Sequence, residues 1–147
     1  MPASGERGDM PKIVSRRRHE RNGKFYGLWL EFDSGEKLYV AYRKGVGLRT
    51  TGYFQKTNSW CIDTMTLNHA TATGVKWIAV IHDVGKGTRH YYSTPIEDFY
   101  GPRSGVHSEG STRQRFLPRA FWLNNPYTDP ELIEKKVKIA GRVARKI

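Results

Sequence analysis

Apolar and polar residues alternate from Lys24 to Phe32. Tyr26, Leu28, Leu30 and Phe32 fall on one side, and Phe25, Gly27, Trp29 and Glu31 on the other. A period of two marks a half-buried strand. Asp33-Ser34-Gly35-Glu36 is a turn-forming stretch, and residues 37–43 repeat the strand pattern, so 24–43 is expected to form a hairpin. Gly45 and Gly47 interrupt the chain, and residues 50–56 add a candidate third strand. Asp63 as N-cap and Gly74 as stop bound a short helix over 64–73. Threonines at 64, 66, 71 and 73 make that helix poor in isolation, so tertiary packing must hold it.

The second half has a different rhythm. Trp77, Ile78, Ala79, Val80 and Ile81 run without a polar break, as in a strand covered on both faces. Gly85-Lys86-Gly87 turns the chain into a partner strand over 88–93. Thr94-Pro95 opens a helical turn carrying Ile96 and Phe99, and 101–111 reads as an irregular loop. Thr128-Asp129-Pro130-Glu131 is a capping box with proline in the first turn. It predicts a basic amphipathic helix over 129–146 with an apolar stripe through Leu132, Ile133, Val137, Ala140 and Ala144. The expected architecture is therefore α+β: a mixed or antiparallel sheet of about five to six strands packed by two helices. Residues 1–11, rich in glycine, proline and serine, are expected to be a flexible basic-flanked arm, and 12–147 a single domain.

Charge narrows the function classes. The chain of 147 residues carries 25 Lys+Arg against 14 Asp+Glu, a formal net charge of +11. Such an excess points to a polyanionic partner, DNA or RNA in particular. Arg16, Arg17, Arg18 and Arg21 form one cluster, and Lys135, Lys136, Lys138, Arg142 and Arg145 another. A third, Arg113, Arg115 and Arg119, is interleaved with Phe116, Phe121 and Trp122. Phosphates need cations, and unpaired bases need flat rings beside them. No apolar run reaches the roughly 18–20 residues of a membrane span, and the N-terminus lacks the apolar core of a secretory signal. The lone Cys61 leaves no internal disulfide to form, and the expectation is a cytoplasmic protein with no membrane partner.

Candidate chemistry is sparse. Glu31, Asp33 and Asp63 are acids that could hold a magnesium ion for phosphodiester cleavage, with helix capping the competing role for Asp63. In the expected 76–93 hairpin, position 82 faces 89, which sends His82 and His90 to opposite faces and excludes a shared ion. Asp83-Val84-Gly85-Lys86-Gly87-Thr88 lacks the glycine spacing and Lys-Ser/Thr pair of a phosphate loop. Cys61 has no histidine near it in sequence, which leaves nucleophilic catalysis without support.

Residues 66–99 carry the order helix, glycine, apolar strand, glycine turn, aromatic strand and short acidic turn. Leu67, Ala70, Gly74 and the run from Trp77 to His82 are followed by Tyr91-Tyr92-Ser93-Thr94-Pro95-Ile96-Glu97-Asp98-Phe99. This order resembles the C-terminal half of restriction-endonuclease-like nucleases, a superfamily that includes Holliday-junction resolvases and many phage proteins. The resemblance implies a nuclease-like protein of a phage or mobile element, with magnesium as cofactor if it cleaves. That family places a Glu-x-Lys on a strand where this chain has Ala41-Tyr42-Arg43; the one Glu-x-Lys here is Glu134-Lys135-Lys136. Charge and resemblance together lead to one expectation, a nucleic-acid-binding protein, with two alternatives: a magnesium-dependent endonuclease, and a structural component of a virion or ribonucleoprotein.

Overall fold

The computed structural model describes residues 12–45, 52–109 and 112–122. The arm 1–11, the expected helix 129–146, Arg142 and Arg145 lie outside them. Strands β1 (Ile13–Arg21), β2 (Lys24–Phe32) and β3 (Lys37–Lys44) are followed by β4 (Tyr53–Phe54) and β5 (Ser59–Asp63). Helix α1 (Thr64–Ala72) leads to β6 (Trp77–Gly85) and β7 (Thr88–Pro95), then β8 (Gly105–Glu109) and β9 (Thr112–Pro118). Three short 3₁₀ turns, Gln55–Thr57, Ile96–Tyr100 and Arg119–Phe121, complete the described chain.

The strands form two sheets, ordered β1-β2-β3-β6-β7 and β4-β5-β9-β8. This overturns the expected single sheet packed by two helices: the fold is mostly β, and α1 is the one α-helix among the described residues. The miss has two physical sources. Segment 13–21 is so charged that its strand character is hidden, and the glycines and serines of 101–111 conceal β8. Together β8 and β9 supply half of the second sheet.

Within the first sheet β3 and β6 pair in parallel, and every other neighbour is antiparallel. The parallel pair requires a crossover, which β4, β5 and α1 provide while building the second layer. The main core lies between the layers. Tyr39, Ala41, Ile78 and Val80 from the first sheet meet Trp60, Ile62 and Leu117 from the second, with Leu67, Ala70, Phe99 and Trp122 closing the sides. The opposite face of the first sheet carries its own apolar cluster, centred on Leu28, Leu30, Val40 and Ile81. Hence β3 and β6 are buried on both faces, a burial that the unbroken run 77–81 predicts for β6 alone.

Tight turns fix the registers. Asn22 and Gly23 (φ 51° and 77°) close the β1–β2 hairpin, the left-handed pair favoured in two-residue hairpin loops. Lys86 and Gly87 (φ 56° and 78°) do the same between β6 and β7. A register shift between Asp83 and Gly85 then sets His82 directly opposite His90, with ring centroids 6.1 Å apart. The two rings therefore share a face, contrary to the expected alternation, because the irregularity at Val84 moves the pairing by one residue.

Candidate nucleic-acid interface

Strand β1 is an edge strand, paired on one side by β2. Exposed edges recruit foreign strands, and charged side chains are the usual protection. Here Arg16, Arg17 and Arg18 are all exposed. They alternate, Arg16 and Arg18 on one face and Arg17 with His19 on the other. Their aromatic neighbours come from β2. The Arg17 guanidinium lies 5.9 Å from the Trp29 ring centre, Arg18 4.7 Å from Phe25, and Arg21 5.9 Å from Tyr26. Arg18 also pairs with Glu20.

On the Arg17 face the rings form a strip. His19 sits 5.8 Å from both Tyr26 and Trp29, and Trp29 stands edge-on to His69 of α1 at 4.9 Å. Tyr26 is 36% exposed. Behind the strip, His19 Nδ1 and the Tyr39 hydroxyl are 2.5 Å apart. Burial keeps the Tyr39 phenol protonated, and burial with the Arg21 charge lowers the His19 pKa. The phenol and the imidazole share one hydrogen bond, its donor set by the His19 tautomer. Gly27, opposite His19 in the ladder, makes this pair possible. A Cβ there would lie 2.2 Å from the Val40 carbonyl oxygen and 2.8 Å from the Tyr39 hydroxyl.

The strip ends in a cleft of about 540 Å³ between the two sheets. The ends of β1, β2 and β3 form one wall, and Ile62, Asp63, Thr112 and Gln114 the other. Arg21, Lys24, Arg43 and Lys44 give it four cations, against one lining acid, Asp63. Asp63 is committed: its carboxylate pairs with Arg21, which also reaches Thr66 Oγ1 at 3.4 Å. Arg43 is different. It donates to the carbonyls of Tyr42 (3.4 Å) and Cys61 (3.2 Å), its Nε is buried without a partner, and no described carboxylate pairs with it. A half-buried cation without a counter-charge is costly, and an anion in the cleft would relieve it.

The expected acids do not converge. Asp63 precedes α1 without a side-chain cap bond, beside Arg21 and the β1–β2 turn. Glu31 and Asp33 lie at the other end of β2, roughly 23 Å away at 3.3 Å per residue. Among the described residues no group of three His, Cys, Asp or Glu could hold a metal ion. The cluster 113–122 is also divided. Trp122 is buried in the core, and its Nε1 donates to the Leu117 carbonyl at 3.1 Å. Arg115 donates to the Phe99 carbonyl at 2.5 Å and lies over Tyr100. Exposed Arg119 lies over Tyr53, and Arg113 is exposed. Cys61 does meet a histidine, with Sγ 3.5 Å from His107 Nε2, but the thiol's residue is 2% exposed and unreachable as a nucleophile.

Sequence reasoning found the arginines of β1 and missed their rings. Asn22-Gly23, a strong hairpin signal, was the available clue: it folds 13–21 back onto 24–32 and so sets Arg17, Arg18 and Arg21 beside Trp29, Phe25 and Tyr26. No protein-family model, curated protein or solved structure matches this chain. Among the described residues no helix is long and apolar enough to cross a membrane.

Proposed function

We propose that this protein binds nucleic acid through the β1–β2 hairpin. The observation that carries the reading is the pairing of Arg17, Arg18 and Arg21 with rings of the adjacent strand, on an edge that also presents Arg16. Guanidinium groups neutralise phosphates, and the rings beside them offer stacking surface. The net charge of +11 supplies long-range attraction to the same polyanion.

Fluorescence anisotropy of labelled DNA and RNA oligonucleotides, repeated across ionic strength, tests this reading. Each phosphate contact contributes about 0.7–0.9 to the log–log salt slope, so affinity should fall steeply from low to moderate salt. A complex indifferent to salt, or no complex at low salt, overturns it.

A further inference from the structure

We infer that the inter-sheet cleft seats one unpaired nucleotide, which makes single-stranded nucleic acid the preferred partner. The inference rests on the nucleic-acid reading above and adds the form of the polymer. The cleft's volume of about 540 Å³ falls within the roughly 300–1,000 Å³ of ordinary small-ligand sites, enough for one nucleotide. A duplex, whose major groove alone is about 12 Å wide, must stay outside.

The chemistry of the cleft suits such a unit. Tyr26, part-exposed at the mouth, offers a ring face, and Arg21 lies against the same ring. Deeper in, Arg43 has two backbone carbonyls as acceptors and no carboxylate among the described residues. Gly52 keeps the approach to Arg43 close, since a Cβ there would fall 2.2 Å from its Nε. A phosphate in the cleft would supply the missing counter-charge while its base stacks at the mouth. Outside, the Tyr26–His19–Trp29 strip, with Arg17 alongside, offers neighbouring nucleotides further stacking and charge.

The decisive measurement is the ratio of affinities for single-stranded and duplex oligonucleotides of about 12 residues, within the span one small domain covers. The full chain should bind the single strand at least about tenfold more tightly, the effect of one stacked base. Arg43→Gln and Tyr26→Ala should each bring that ratio close to one, whereas Arg16→Ala should lower both forms together. Tyr26 and Lys24 are exposed, so Tyr26→Ala and Lys24→Ala report on the cleft even if Arg43→Gln fails to fold. Equal, salt-dependent affinities for both forms overturn the cleft and leave the nucleic-acid reading standing. Absence of binding to either form overturns both. A ratio unchanged in folded Arg43→Gln and Tyr26→Ala also overturns the cleft. So does a free nucleoside monophosphate that binds as tightly as the oligonucleotide, because the occupant is then a small molecule.

Discussion

Strands β6 and β1 are each nine residues long and belong to one sheet, yet they obey different rules. In β6 the five residues Ile78–His82 are all buried, between neighbours β3 and β7. In β1 the five residues Val14–Arg18 are all exposed, and β2 is its one neighbour. A central strand is specified by what its side chains bury, so its pattern is visible in the sequence. An edge strand is specified by its partner's backbone and the connecting turn, which leaves its side chains free for other work. Among the described strands, the one least constrained by packing carries the exposed Arg16–Arg18 run.

The sharpest way to break the comparison is to substitute the centre of β6. Ile78 is 0% exposed and touches the inter-sheet core. Ile78→Ala should cost about 2–5 kcal/mol, through lost burial and the cavity left behind. The urea midpoint should drop with an unchanged slope, and oligonucleotide affinity should persist where the variant is folded. A loss under about 1 kcal/mol would mean the two layers are loosely packed.

A smaller effect is expected where edge meets core. In Gly27→Ala the added carbon collides with the Val40 carbonyl and the Tyr39 hydroxyl. Overpacking of this kind costs about 1–3 kcal/mol. The His19–Tyr39 hydrogen bond should separate with it, visible as a shifted His19 ring resonance. An unchanged melting temperature would show that β1 and β2 slide freely on β3.

How much was legible follows the same division. The β2–β3 hairpin, α1, β6 and the Lys86-Gly87 turn all announce themselves by alternation, unbroken apolar runs or turn chemistry. β1 and β8 do not, because charge in one and Gly/Ser content in the other mask the pairing. The opposition of His82 and His90 was illegible for a subtler reason: one irregular residue, Val84, inverts every face assignment beyond it. The site was half visible. The Arg16–Arg18 run stands out in any composition scan, but the cleft gathers Arg21, Arg43 and Asp63 from three strands, and no local pattern links them. Asp63 was a reasonable metal ligand on paper until the fold set Arg21 against it.

The two histidines extend the comparison to pH. His82, on β6, donates from Nε2 to the Gly45 carbonyl at 2.8 Å, and its Nδ1 is buried without a partner. Burial lowers its pKa, as it does for His19 on β1. The folded state therefore resists protonation while the unfolded chain accepts a proton near pH 6.5. Stability is full above that value and declines as pH falls below it. Urea midpoints from about pH 7.5 down to 5.5 should show the decline, flattened in both His82→Gln and His19→Gln. A steeper decline in either variant would reverse the assignment.

The smallest stability change should come from the largest change in charge. Arg16→Ala, Arg17→Ala and Arg18→Ala together remove three exposed cations from a chain of net charge +11. The opposing expectation has force, since Arg17 and Arg18 lie over Trp29 and Phe25. Exposed cation–π contacts are worth about 0.5–1 kcal/mol each, so their loss alone would cost about 1–2 kcal/mol. Against this, relief of self-repulsion in a strongly cationic chain stabilises the compact state. These effects oppose each other, and the net change should stay within about 0.5 kcal/mol, as for ordinary surface substitutions. Binding should respond quite differently: the log–log salt slope should shrink by about 2–3 as up to three phosphate contacts disappear. A triple variant that loses more than about 1 kcal/mol of stability but keeps its salt slope would make β1 a structural strand after all.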